Sequence, residues 1–426
     1  MTTAAAPRVG TTAERGTPTR ATLASPARER LMSLDVFRGM TVAGMLLVNN
    51  PGTWSAIYPP LRHAEWHGWT PTDLIFPFFL FIVGITTQLS LGARRERGDS
   101  DAALVRQVLR RGAIIFALGF LMSLFPGWQW GAVSSWPVPP DFAGEPTVWQ
   151  RVAYRWEHVR ILGVLQRIGL AYTIGALLTL RTSLRQQVAI ASGLLLGYWF
   201  LMTAVPVPGH GMLGQSVLDR PALLLSAWLD RAILGTDHLW IGSRTWDPEG
   251  LLSTLPAIAT VMLGVFAGRW LGERRPLAER LNGLFAVGAI GMTAGLMWHW
   301  VFPINKGIWT SSYVVFTAGM AAVVLAACMW VVEVHKVTGW TKPFVIYGVN
   351  PIVAFVGSGV MARLIYSMAR VTWNGRETSL QNAIYQSLFA SWLSPVNASL
   401  LFALSFVVFW LGILWVLWRR RIFLKV

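Results

Sequence analysis

The chain has 426 residues, 54% of them hydrophobic and 13% charged, with 23 tryptophans and a positive mean hydropathy. That balance excludes an ordinary water-soluble domain and indicates a polytopic membrane protein. The net charge of +16 does not imply a nucleic-acid partner: lysine occurs only at 306, 336, 342 and 425, and the arginines sit between apolar runs as a topology signal.

Residues 1–30 are rich in Ala, Thr, Pro and Arg and lack the unbroken apolar core of a signal peptide. They are expected to form a disordered basic cytoplasmic tail, followed by one transmembrane domain over 31–426. A bilayer core takes roughly 20 apolar residues per helix. About ten such runs follow in order, at 34–53, 73–93, 107–125, 161–180, 186–205, 251–270, 282–302, 309–333, 343–365 and 397–418.

Every second connection is short and basic: the tail with Arg28 and Arg30, the Arg94 to Arg111 group, Arg181 with Arg185, Arg274 to Arg280, Lys336 with Lys342, and Arg419 to Arg421. The positive-inside rule then predicts cytoplasmic N- and C-termini and an even number of spans. The expected fold class is all-α, a polytopic membrane helical bundle. Loops 54–72, 126–160, 206–250, 303–308 and 366–396 fall on the outside. Their tryptophans suit interfacial anchoring or a stacking surface for a sugar ring. Cys328, the one cysteine, lies in an apolar run and reads as packing. No solenoid repeat or inverted duplication is visible.

The polar residues concentrate near the outer ends of the spans. In "RHAEWHGWTPTDLIFP" (62–77), Thr70 can cap a helix, Pro71 suits its first position, and Asp73 stands where it can return the capping hydrogen bond. His63 and His67 precede that helix. Asn49 and Asn50 end the first span, Gln166 and Arg167 enter the fourth, Glu249 precedes the sixth, and Asn305 and Lys306 fill a short outer turn. A charged group such as Arg167 at membrane depth must pair or line a wet cavity, so pairing with Asp73 or Glu249 stands beside a functional role. On the inner side, Asp35 and Arg38 share a helical face three residues apart and can pair, or Arg38 can snorkel. Asn350-Pro351 predicts a broken helix within the ninth run.

Six blocks, "RLMSLDVFRGMTVAGMLLVNN", "HAEWHGWTPTDLIFPFFLFIVG", "GVLQRIGLAY", "DPEGLLSTLPAIATVMLGVFAG", "INKGIWTSSYV" and "YGVNPIVAFVG", occur here in this order. Together they resemble the heparan-α-glucosaminide N-acetyltransferase family, which includes lysosomal enzymes and bacterial homologues. The chain looks like the transmembrane part alone. The resemblance implies transfer of acetyl from cytosolic acetyl-CoA, as co-substrate, to the amino group of a terminal glucosamine across the membrane. It implies a bacterial cytoplasmic membrane location and a homodimer. It further implies His63 as the active histidine, Asp73 as its carboxylate and Asn49 as an active-site asparagine. His67 stands where the animal enzymes have an asparagine and is given no role.

Such residues suit acetyl transfer. An imidazole can take a proton from the amine or carry the acetyl group, a carboxylate can fix its tautomer, and an amide can donate to the oxyanion. Asp35, Arg38, Gln166, Arg167, Glu249, Lys306 and Asn350 are expected to bind acetyl-CoA or acceptor, and no metal is expected. Two other classes compete: a transporter or flippase of a sugar or glycolipid, using the same outer cluster, and a structural scaffold, which leaves the buried charges unexplained.

Overall fold

The computed structural model describes residue 2, residues 31–136 and residues 144–424. The expected tail, 1–30, lies outside the described residues apart from residue 2, as do 137–143 and the last two positions. The described chain is an all-α bundle. In order its helices are α1 (Met32–Asn49), α2 (Ile75–Glu96), α3 (Asp101–Leu124), α4 (Val148–Glu157), α5 (Val164–Arg181), α6 (Leu184–Ala204) and α7 (Leu225–Leu234). There follow α8 (Thr254–Gly272), α9 (Leu277–His299), α10 (Ser311–Met329), α11 (Lys342–Val349), α12 (Pro351–Arg363), α13 (Leu380–Tyr385) and α14 (Pro395–Arg419). An antiparallel hairpin of β1 (Arg370–Trp373) and β2 (Arg376–Ser379) precedes α13.

Among the described residues, eight helices are long and apolar enough to cross a membrane: α2, α3, α6, α8, α9, α10, α12 and α14, three of them extended by adjoining turns. The first and fourth expected spans are α1 and α5, each 18 residues. Both fall short of that apolarity because they carry Asp35 with Arg38, and Gln166 with Arg167. The polar candidates themselves therefore lower the hydropathy of the two helices that hold them. The ninth span breaks at Asn350, where Pro351 starts α12 and cannot donate a hydrogen bond back into α11. Helices α4 and α7 lie in the long loops at the end of the bundle that carries His63.

Lipid tails are as apolar as leucine, so close packing and hydrogen bonds must hold such helices together. Small residues make this possible. A Cβ on Gly84 of α2 would lie 2.1 Å from the Val261 carbonyl oxygen of α8, and one on Gly264 would lie 2.1 Å from the Phe81 carbonyl oxygen. The two backbones touch there. Around this contact Leu80, Ile168, Ala257, Val261, Tyr313 and Val314 form a buried core shared by α2, α5, α8 and α10. Hydrogen bonds cross it: Trp309 Nε1 donates to Thr260 Oγ1 at 3.2 Å, Ser311 Oγ to the Leu195 carbonyl at 2.7 Å, and the Tyr313 hydroxyl to the Asp73 carbonyl. These bonds bring the N-terminal ends of α2, α8 and α10 together.

Replacing Gly84 by Val is expected to push α2 from α8 and cost about 1–3 kcal/mol, as overpacking does. Thermal unfolding in detergent, followed by helical circular dichroism, should show a lowered midpoint. Gly197→Val, where a Cβ meets nothing within 4 Å, should leave it nearly unchanged.

Candidate active site

Asp73 occupies the turn Pro71–Leu74 that leads into α2, and its two carboxylate oxygens have different duties. Oδ2 accepts from the backbone N–H groups of Thr70 and Ala64, both at 3.0 Å. Oδ1 lies 2.6 Å from His63 Nδ1. The helix cap and the histidine partner are thus one side chain, almost fully buried at 1% exposure. A carboxylate can only accept, so His63 Nδ1 carries the proton and Nε2 presents its lone pair. Lys306 Nζ reaches that ring, 3.2 Å from Nε2, from the turn between α9 and α10. Asp73, His63 and Lys306 form one chain of contacts, with the imidazole side chain 44% exposed. Burial draws the Lys306 ammonium below the ordinary lysine range, although Glu249 and Asp73 pull the other way.

The segment carrying His63 is braced on both sides. Trp66 Nε1 donates to the Leu218 carbonyl at 2.8 Å, Gly68 N–H to the Ile304 carbonyl at 2.8 Å, and Thr70 Oγ1 to the Arg62 carbonyl at 2.6 Å. His67 pairs with Asp219 at 2.9 Å and meets Asn305 Nδ2 at 3.3 Å. Burial lowers the His67 pKa despite Asp219, which keeps the ring neutral near pH 7. The buried Asn305 closes its own turn by accepting from Ile308 N–H at 3.1 Å. That turn fixes the backbone on which Lys306 stands.

Behind Lys306 lies a second cluster. Arg160 grips Asp247 through two bonds, Nε to Oδ2 at 2.9 Å and Nη2 to Oδ1 at 2.5 Å, and also donates to Glu249. Arg167, with no exposed surface, donates to the Gly250 carbonyl at 3.3 Å and to Ser253 Oγ, and its guanidinium lies 5.2 Å from the Trp309 ring centre. Its Nε and Nη1 have no partner among the described residues. Burial opposes ionisation of Glu249, but Arg160, Arg167 and Lys306 outweigh it and hold the carboxyl below the ordinary glutamate range. The charge that faces Arg167 across this cluster is therefore carboxylate.

The remaining sequence candidates stand elsewhere. Asn49 ends α1 exposed, and His63 takes its contacts from Asp73 and Lys306. The chain after α1 is tied instead to the far side of the bundle, Gly52 N–H to the Ser399 carbonyl at 3.2 Å and Gln381 Nε2 to the Gly52 carbonyl at 2.6 Å. Gln166 is buried beside α3, 3.4 Å from Ser123 Oγ. At the opposite end of the bundle Arg38 pairs with Asp35 at 2.5 Å and donates to the Gly348 carbonyl at 2.6 Å. Asn350 is fully buried and holds the backbone of the last turns, donating to Ile422 and accepting from Leu424 at 3.0 Å each. Arg160 and Asp247 escaped the sequence reading as partners because 87 residues separate them. The only hint was the run "DPEG" before an apolar helix.

A family model described as heparan-alpha-glucosaminide N-acetyltransferase, catalytic, matches residues 30–298. The heparan-alpha-glucosaminide N-acetyltransferases of Homo sapiens and Mus musculus are each 27% identical to this chain, over 446 and 443 residues, covering 93% of it. The chain spans 60% of the length of these relatives. The family match contains His63, Asp73, Arg160, Arg167 and Glu249, while Lys306 and Asn350 lie beyond it.

Two outcomes follow from the buried charges. Arg160→Ala leaves Asp247 and Glu249 buried without their guanidinium and should cost about 3–5 kcal/mol, measured as a fall in thermal midpoint that Arg160→Lys partly restores. Asp230 of α7 is buried, with Oδ1 accepting from Leu251 N–H at 2.8 Å and Oδ2 unpartnered, and burial pushes its pKa up to about 6. A carboxyl raised on folding stabilises most below its unfolded pKa and loses that contribution as pH rises through about 6. Asp230→Asn should therefore raise the thermal midpoint at pH 7, by the equivalent of ~2 kcal/mol, and change it little at pH 4.

Proposed function

The chain belongs to the family of the heparan-α-glucosaminide N-acetyltransferase catalytic region, and on that footing we propose that it is a transmembrane acetyltransferase. In this reading it moves acetyl from cytosolic acetyl-CoA to the amino group of a glucosamine-type sugar on the outer face of the bacterial cytoplasmic membrane, with both chain termini in the cytoplasm. The observation that carries it is the chain Asp73, His63, Lys306 at a half-exposed imidazole.

The chemistry runs on that chain. Asp73 holds the Nδ1–H tautomer, so Nε2 is the atom that attacks the thioester carbonyl or takes the proton of the attacking amine. Attack on the carbonyl gives a tetrahedral oxyanion, which collapses with loss of the CoA thiolate to an acetyl-imidazolium whose Nδ1 proton stays against Asp73. The sugar amine then adds to the acetyl carbon, the bond from that carbon to Nε2 breaks, and the freed Nε2 takes the amine's proton and passes it to solvent, which restores neutral His63. Either route develops positive charge on the ring, which the buried Asp73 carboxylate offsets, and negative charge on the oxygen, which the Lys306 ammonium can meet. The oxyanion role of Asn49 rests on the family resemblance; the cation within reach of His63 is Lys306. Arg38 beside Asp35 is assigned to the CoA phosphates at the cytosolic end, and the helix break at Asn350-Pro351 to the path of the pantetheine arm. Glu249 and Arg167 are assigned to the charge field on the acceptor side, and Gln166, beside α3, keeps only the binding role that the sequence suggests for it.

Purified protein in lipid nanodiscs, given labelled acetyl-CoA and glucosamine, should form N-acetylglucosamine. His63→Ala and Asp73→Asn should each lower kcat by about 10²–10⁴-fold, the range for loss of a positioned acid-base group. Lys306→Met should lower kcat more than it raises KM. Folded wild-type protein that transfers no acetyl, yet carries labelled sugar into sealed vesicles without acetyl-CoA, would replace this reading with a transporter.

A further inference from the structure

A sizeable cavity stands apart from His63. It measures about 710 Å³, within the range of small-ligand sites, and lies at the same end of the bundle, between the C-terminal ends of α3 and α12 and the loops flanking α4 and α7. Five arginines line it: Arg155, Arg160, Arg244, Arg363 and Arg370. Two have protein duties. Arg155 donates to the carbonyls of Ser123, Leu124 and Phe125 and so caps α3, and Arg160 is held by Asp247 and Glu249. Among the described residues Arg244, Arg363 and Arg370 have no ion pair, and Nη1 of Arg363 is buried without any hydrogen-bond partner. A buried guanidinium nitrogen left without an acceptor is costly in a structure that satisfies nearly all such groups.

The charge count narrows the ligand. Against five arginines stand the wall's own Asp237 and the two carboxylates behind Arg160. Among the described residues two positive charges remain, which match the roughly two negative charges of a phosphate monoester near neutral pH and exceed what one carboxylate supplies. Guanidinium groups bind such oxyanions through paired N–H donors. Aromatic rings line another part of the wall. Trp128 and Trp130 stand with ring centres 6.3 Å apart at 52°, Trp240 faces the same space, and His158 stacks on Tyr154 at 4.0 Å. Flat rings of this kind pack against the apolar face of a sugar.

We propose that this cavity is a binding site for a phosphorylated sugar, with Arg363, Arg370 and Arg244 holding the phosphate and the tryptophans holding the ring. The cavity lies beside the ends of α3 and α12, two of the apolar helices, so the phosphate can be free or borne by a lipid. Arg160 links the cavity to Glu249 and hence to the charge field around Lys306 and His63. The choice of an amino sugar as the ring rests on the acetyltransferase reading; the phosphate part does not.

Calorimetric titration of the full chain in phosphatidylcholine nanodiscs with glucosamine 1-phosphate, glucosamine and inorganic phosphate tests it. Glucosamine 1-phosphate should bind at least about tenfold more tightly than glucosamine, the worth of one charge-assisted bond. Arg363→Gln and Arg370→Gln should each remove about that factor for the phosphorylated sugar, and Arg363→Lys should retain part of it. Helical circular dichroism identifies variants that have folded, and the surface position of Arg370 keeps the test open if Arg363→Gln does not. Equal affinity for the two sugars, or a preference that survives both substitutions in folded protein, overturns the proposal. Discs containing phosphatidic acid should weaken binding of the probe if a lipid phosphate is the natural source, and leave it unchanged if a soluble one is. Phosphate-dependent binding without acetyl transfer would sink only the acetyltransferase reading; transfer without phosphate preference would sink only the cavity.

Discussion

A guanidinium with no exposed surface cannot sit in a membrane bundle unless its charge is answered close by, and the burial of Arg167 constrains much of what surrounds it. Its hydrogen-bond acceptors come from the turn before α8, the Gly250 carbonyl and Ser253 Oγ. Its compensating charge comes from Glu249 and Asp247 in the same turn, and its flat face meets Trp309 at the start of α10. These demands set the height at which α5, α8 and α10 meet. Once they are met, Glu249 is ionised, and an ionised Glu249 is what makes a half-buried lysine at 306 tolerable next to His63. His63 is thus at the far end of a charge balance that begins at Arg167.

Removing charges from water costs more than mutual attraction alone returns, so clusters of this kind are weak evidence for stability. They are better evidence for position. Arg160 joins two carboxylates from one turn, and the Gly250 carbonyl beside those carboxylates accepts from Arg167. The turn has no freedom to relax without stranding a charge. Backbone contact between α2 and α8 at Gly84 and Gly264 supplies the apolar counterpart, holding Asp73 and its histidine against the same wall.

The all-α bundle and the order of its apolar segments were legible from hydropathy because both are local properties of the chain. So was the break at Asn350-Pro351, since proline acts on its own helix. The cap that Asp73 forms was legible for the same reason, as was the Asp35–Arg38 pair. What escaped was long-range. Lys306 meets His63 across 243 residues, and Arg160 meets Asp247 across 87; no periodicity encodes such partners. Asn350 carried the helix break openly, yet its grip on the backbone near residue 422 depends on where the end of the chain returns. The cavity arginines were hidden in a different way. Arg363 reads as a helix-end cation and Arg370 as a loop residue until α3 and α12 are set side by side.

The segment that presents His63 is tied at Trp66 and His67 to Leu218 and Asp219, at Gly68 to Ile304, and at Thr70 back to its own Arg62. Many enzymes wait on a loop that opens and closes over the substrate, and in them the slow step belongs to that motion. A segment pinned at four points within five residues has no free stretch there about which to swing. Its opening would be a local unfolding event rather than a gate. The consequence is kinetic: in the proposed reaction this segment does not act as a lid, and its own motion does not time the arrival and departure of the reacting molecules at His63.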